Sequence, residues 1–165
     1  NPKIKKAVAI SVPLDLGGSC DQISSGQNRL YAKRFLKTLL EKVELKAEKF
    51  PEILPKKRLN TIQTLRDFDD QITGPLHGFK NAEEYYRVNS SLQFLDRIEI
   101  PTLILNAKND PFLNSSCFPV ALAKKLEAVH LEVPRHGGHV GFMSADSEKR
   151  LYSESRAVEF ICQDS

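Results

Sequence analysis

Two short apolar runs, separated by about one helix's worth of residues, constrain this chain most. Ile100-Pro101 marks an extended start, because the residue before a proline is pushed out of the α region. Leu103-Ile104-Leu105 follows, and a continuous apolar run of that length reads as a parallel strand covered on both faces. Val129 to Val133 reads as the next strand, with Phe118 to Leu126 between them as a short helix. From Asn81 onward the pattern is that of a βαβ unit. Parallel strands deliver whatever follows them to one rim of the sheet. Asp110 follows the first run in Asn109-Asp110-Pro111-Phe112, and His139 follows the second in His136-Gly137-Gly138-His139.

Upstream, Lys6 to Val12 gives a third strand, ended by Pro13. Leu14 to Ser25 is rich in Gly and Ser and reads as a loop. Gln27 to about Lys49 is the clearest helix, with Leu30, Phe35, Leu36, Leu39, Leu40, Val43 and Ala47 as its apolar stripe. Pro51 and Pro55 bracket a turn. Asn60 is placed to cap a second helix running to about Asp70, which Gly74-Pro75 breaks, and Leu76 to Lys80 reads as a loop. Asn81 caps a helix to Val88 whose early acids, Glu83 and Glu84, suit a helix N-terminus. Ser90 to Ile98 is irregular or weakly helical, and Tyr152 to Cys162 is a closing helix. The stretch 13–80 is too long for a simple crossover and reads as helices carried above the sheet. A sheet of three strands leaves an edge of unpaired backbone groups. Further strands are therefore expected, from a longer protein or from a second chain.

The 165 residues suffice for one domain with a real core. No apolar run approaches the roughly 20 residues that span a bilayer. A net charge of +3 is only mildly basic, and Lys56-Lys57-Arg58 reads as solvated surface. No aromatic-interleaved basic face accompanies it, so nucleic acid is not an expected partner. Cys20, Cys117 and Cys162 are odd in number and widely spaced, which argues against a disulfide framework and suits a reducing, cytoplasmic setting. Cys117 is expected to be a small buried residue. Asn1-Pro2-Lys3 leads into an apolar strand with no signal-peptide pattern and no initiator Met. The chain is expected to begin inside a larger protein.

Taken alone, Asp110 reads as a turn residue before proline and His139 as a loop histidine. Together they say more. They lie 29 residues apart, filled by one helix and one strand, which sets the two strand ends side by side. A carboxylate oxygen there can hold the imidazole Nδ1–H and leave Nε2 free to take a proton from a serine. An Asp and then a His past successive strands is the acid–base half of the α/β-hydrolase triad, whose chain order is Ser, Asp or Glu, His. No serine here sits in a G-x-S-x-G elbow. Gly18-Ser19-Cys20 and Ser24-Ser25-Gly26 lack the flanking pattern, so the nucleophile is expected upstream of Asn1. His136 is the competing histidine of the loop. A metal site built from His136 and His139 with His77, His130 or Asp110 fits no helical H-E-x-x-H spacing and is not expected.

These residues resemble a known family. Pro101 to Phe112, with His136 to Phe142, resembles the YheT-like branch of the α/β-hydrolase superfamily. Arg66 to Asp70, Gly74 to Phe79, Tyr85-Tyr86 and Ser11 to Leu16 are similar to it as well, so the resemblance covers about Ala7 to Phe142. It implies the C-terminal part of an α/β-hydrolase fold, with parallel strands, flanking helices and a helical lid insertion at 13–80 over an acyl pocket. It implies a serine hydrolase of carboxylic esters, short- or medium-chain acyl or lipid-like, with Asp110 as triad acid and His139 as base. Neither metal nor organic cofactor is implied. The family's serine, elbow and oxyanion loop have no counterpart among these residues, so the chain alone is expected to be inactive. The rival expectation is a non-catalytic interaction module that self-associates through its exposed sheet edge.

Overall fold

The computed structural model describes residues 3–54, 59–143 and 151–163. Pro55 and the Lys56-Lys57-Arg58 run lie outside the described residues. The chain divides into two compact units, Asn1–Asp15 with Ser91–Ser165, and Leu16–Ser90.

The first unit is built on a parallel sheet in the order β1 (Ala7–Ile10), β2 (Thr102–Leu105), β3 (Val129–Glu132). Ala7 pairs with Thr102 and Ile10 with Leu105, while Thr102 pairs with Val129 and Leu105 with Glu132. Central β2 is buried along its whole length. Alternation sends its neighbours to opposite faces. Ile104 packs with Leu14, Leu95, Leu113, Cys117 and Val129, whereas Leu105 packs with Ala107 and Phe142. The helix between β2 and β3 is shorter than the sequence pattern predicts: a 3₁₀ turn (Ser115–Cys117) precedes one α-turn (Val120–Ala123). Cys117 is fully buried.

The closing helix (Tyr152–Cys162) is tied to the sheet at two points. Arg156 makes a forked contact with Glu132 at the end of β3, with Nη2 to Oε1 at 2.7 Å and Nε to Oε2 at 3.1 Å. Lys6 Nζ donates to the carbonyls of Phe160 and Gln163, placing a cation where the helix carbonyls lack partners. After β1 the chain leaves this unit at Asp15 and returns at Ser91 into a 3₁₀ segment (Ser91–Arg97). The two crossing points are adjacent: Leu92 N donates to Leu14 O at 3.0 Å.

The second unit is helical. Leu16–Ser24 forms helix α1, where the sequence pattern predicts a loop. Packing outweighs the poor propensity of Gly17 and Gly18. A Cβ at Gly17 would lie 3.3 Å from Tyr86 Cδ2, so glycine is what lets α1 lie close to Tyr86. Helix α2 spans Arg29–Lys49 after a 3₁₀ turn (Gly26–Asn28). It buries Leu36, Val43 and Ala47, with Leu39 and Leu40 beside them. Leu30 and Phe35, expected on that stripe, are 77% and 43% exposed, because each lies about 100° or more around the helix from Leu36.

Helix α3 (Leu65–Phe68) starts at Leu65 rather than Asn60. Thr64 wins as the cap through a reciprocal capping box: its side chain accepts from Asp67 N, and the Asp67 carboxylate accepts from Thr64 N at 2.9 Å. Gly74-Pro75 does not break the run. A π-helical turn (Asp69–Thr73) leads directly into α4 (Gly74–Leu76). Pro75 falls in that first turn, where its missing N–H is not needed. Gly74 admits the backbone of Asn81, whose carbonyl oxygen a Cβ would meet at 3.1 Å. Helix α5 (Ala82–Asn89) is capped by Asn81, as its sequence predicts. The ends of this unit also meet: Leu16 N donates to Ser90 Oγ at 3.0 Å.

Tyr86 is the polar centre of the helical unit. It is buried, and its hydroxyl donates to Asp69 Oδ2 at 2.6 Å. The Arg66 guanidinium lies over its ring at 5.1 Å and pairs with Asp21 at 2.8 Å and Glu83 at 3.4 Å. Burial, then the bond to Asp69, pushes the Tyr86 hydroxyl far above the ordinary tyrosine range, and burial pushes the Cys20 thiol up. Because the folded state favours the protonated phenol, this stabilisation is full below the unfolded value of about 10 and is lost as pH rises above it. Alkaline titration followed by tyrosinate absorbance and circular dichroism should show one tyrosine ionising only as helix is lost. Tyr86→Phe should remove that late absorbance step.

Candidate active site

All three strands feed one rim. Beyond β2, Asn106 N donates to Glu132 O at 3.1 Å and Lys108 N to Pro134 O at 2.8 Å, so pairing continues past the strand ends. Asp110 N then closes a turn on Ala107 O at 3.0 Å. The turn buries the Asp110 side chain completely. Its Oδ1 accepts from Phe112 N at 2.9 Å, a local bond that fixes the carboxylate plane. Its Oδ2 lies 2.9 Å from Nδ1 of His139. The imidazole is 36% exposed and rests on the Phe112 ring, with centroids 4.8 Å apart. The structure therefore brings the two predicted residues together, one sequestered and one facing solvent.

The loop after β3 places His139 by close packing. A Cβ at Gly137 would lie 2.7 Å from Ala107 Cβ and from the Phe142 ring, so only glycine passes there. Gly138 turns through φ +57°, and its N–H donates to Asn109 Oδ1 at 2.9 Å. Phe142 N returns to Gly137 O at 2.8 Å. Val140 and Phe142 hold left-handed backbone at φ +60° and +36°. Such conformations persist for side-chain-bearing residues only where the surroundings over-determine them. Here a buried Phe142 and a bond from Val140 N to Ser11 Oγ at 3.1 Å supply the restraint.

Two residues of this rim have no role in the sequence reading. Asn106 is fully buried and joins three segments: its Oδ1 accepts from Val12 N at 2.7 Å, and its Nδ2 donates to Val12 O and Cys117 O, each at 3.0 Å. The signal was present as an amide directly after a continuous apolar run. Ser11, at φ +54° just past β1, reaches the histidine loop through the bond to Val140. His136 is exposed. His130 sits on β3 with its ring edge-on to Phe160 at 5.3 Å, and His77 belongs to the helical unit. Among the described residues no group of three His, Cys, Asp or Glu is placed to hold a metal ion, and no helix is long and apolar enough to cross a membrane.

No family model matches the chain, and no solved structure matches it. Curated relatives do. The candidate esterase YheT of Escherichia coli K12 is 32% identical over 161 residues, which is 96% of this chain and 47% of that protein. A monoacylglycerol lipase of Saccharomyces cerevisiae is 35% identical over 159 residues, covering 92% of this chain and 35% of the lipase. An abhydrolase domain-containing protein of Dictyostelium discoideum is 33% identical over 159 residues, covering 93% and 39%. The chain thus spans about half, or less, of the length of these relatives.

The Asp110–His139 contact is open to direct observation. The shielded Nδ1 proton should give a low-field proton resonance. Asp110→Ala and Gly137→Ala should each abolish it, while His136→Gln should leave it in place. Gly137→Ala should also cost about 2 kcal/mol in urea unfolding, as overpacking at a tight contact does.

Proposed function

The chain belongs to the α/β-hydrolase superfamily, and on that footing we propose that it carries the acid–base pair of a serine-type carboxylic ester hydrolase. The observation that most supports this reading is the 2.9 Å contact between a fully buried carboxylate and a partly exposed imidazole at one rim of a parallel sheet. Carboxylate oxygens accept, so the imidazole donates from Nδ1 and offers Nε2 outward as a base. Tautomer and ring orientation are both set by the bond to Asp110.

The proposed cycle begins with a serine from a part of the protein outside these 165 residues. As it attacks an ester carbonyl, His139 Nε2 takes the hydroxyl proton, and Asp110 stabilises the imidazolium that forms. His139 then passes the proton to the departing alcohol. Water repeats the sequence on the acyl-serine and releases the acid. The oxyanion donors lie outside these residues with the serine. No metal or organic cofactor enters this cycle. Relatives named as esterase and monoacylglycerol lipase favour short- or medium-chain acyl or lipid-like esters as substrates. The stretch 13–80 is proposed as the helical lid of the acyl pocket. Cys20, Cys117 and Cys162 form no disulfide among the described residues, which favours a reducing, cytoplasmic setting.

A second reading has its own observation. Among the described residues, β1 and β3 each have one strand neighbour, which leaves pairing capacity at the edges for a second copy of the chain. Sedimentation over a range of concentrations tests it: a monomer throughout removes the edge-pairing reading.

The hydrolase reading predicts that the isolated chain does not turn over p-nitrophenyl butyrate. In the longer protein, His139→Ala should lower kcat/KM by about 10⁴-fold or more, since triad members act as a unit. Robust hydrolysis by the 165-residue chain, lost in His139→Ala, would show that the nucleophile lies within it.

A further inference from the structure

We propose that Ser11 and Asn109 are positioning residues for His139: each holds the backbone N–H of a residue beside the histidine, and together they set the imidazole against Asp110. The inference rests on the acid–base reading of that pair.

Left-handed backbone gathers in this loop. Gly138, on one side of His139, turns through φ +57°, and Val140, on the other, through φ +60°. Glycine tolerates such a turn, whereas a β-branched residue rarely adopts it. Packing does not hold Val140 there, because it is 57% exposed. Its N–H donates to Ser11 Oγ at 3.1 Å. Ser11 is itself buried and left-handed, at φ +54°. Two side-chain-bearing residues in a sparsely populated conformation thus meet through one hydrogen bond, next to the candidate base. Strain of that kind clusters where a site is held in one geometry. On the other side of the histidine, Gly138 N donates to Asn109 Oδ1 at 2.9 Å.

Both anchors refer back to β2, the strand that delivers Asp110. Asn109 is the neighbour of Asp110 in the chain, and Ser11 N donates to Leu105 O at 2.9 Å. The carboxylate is already fixed by Phe112 N. What remains adjustable is the imidazole, and a displacement of about 1 Å would stretch its 2.9 Å contact past hydrogen-bond range. The Ser11 bond is partly buried, whereas the Asn109 bond is exposed and competes with water. Ser11 is therefore the stronger anchor.

The test follows the low-field Nδ1 proton of His139 and, through the ¹⁵N shifts of both ring nitrogens, the tautomer of the neutral ring. The 165-residue chain should show the low-field signal and one tautomer, protonated at Nδ1. Ser11→Ala should lose the signal and mix the tautomers. Ser11→Gly should do the same, although glycine accepts φ +54° without strain. Asn109→Ala should weaken the signal, and Asn109→Asp, which keeps an acceptor oxygen, should retain it. Ile104→Val thins the core on the other face of β2, so it should lower stability and leave signal and tautomer unchanged. In the longer protein, Ser11→Ala should lower kcat about tenfold and hold KM within about twofold, since the hydroxyl acts through the base and not on the ester. Circular dichroism checks the fold of each variant. Asn109 is exposed, so its two variants carry the test if those at Ser11 do not fold. A wild-type chain without the low-field signal overturns the acid–base reading and this inference with it. Where the wild type shows the signal, its undiminished survival in folded Ser11→Ala, or in Asn109→Ala, overturns this inference alone. So does an equal loss in Ile104→Val, which would tie the signal to stability in general.

Discussion

The pairing of Thr102–Leu105 with Val129–Glu132 is the constraint on which the rest of the rim depends. Parallel strands locked in that register end at the same height. Two further backbone bonds, at Asn106 and Lys108, carry the alignment into the loops. A slip of one residue would turn every side chain of β3 to the other face. It would also move His139 along the sheet relative to Asp110. The register is fixed in turn by packing, because Ile104 and Leu105 feed two different clusters and neither can exchange places. Side-chain geometry at the rim is thus a consequence of how an apolar strand is buried on both faces.

Around that register the loops are held by groups that only a polar or very small residue can supply. Asn106 satisfies the backbone of Val12 and of Cys117 with one amide, where an apolar side chain would leave three buried or part-buried polar groups without that partner. Gly137 allows the histidine loop to touch Ala107 and Phe142. Ser11 reaches it from the end of β1. If the acid–base reading holds, much of the ordering that a reaction would need is completed when the chain folds.

The elements visible in the sequence were those whose signal is local and continuous. The Leu103-Ile104-Leu105 run, the long apolar period of α2 and the Asn81 cap each announce themselves within a few residues. The Asp110–His139 juxtaposition was legible because parallel topology converts sequence order into position. The misreadings came from tertiary contacts that local rules cannot weigh. Helix α1 was hidden because Gly17 and Gly18 look like loop residues until Tyr86 is placed against them. Gly74-Pro75 looks like a break until the preceding π-helical turn sets Pro75 in a first turn. Leu30 and Phe35 look like core because the apolar period is wide, yet the buried stripe follows Leu36, Val43 and Ala47. Asn106 carried a signal, but its three partners lie far from it in sequence.

The place where the chain leaves the sheet unit and returns to it has a consequence of its own. Leu14 and Leu92 are hydrogen-bonded to each other on the sheet side, and Leu16 and Ser90 on the helical side. The 75 residues of the helical unit, Leu16–Ser90, therefore leave and rejoin the sheet unit through one narrow doorway in the chain path. Chain-closure entropy grows only as the logarithm of length, about 0.6 kcal/mol per doubling, so the sheet scarcely registers how much chain passes through. A short turn could bridge the doorway, or a different set of helices could be hung from it. The sheet is a chassis, and its accessory is free to be resized or exchanged without redesign of the frame.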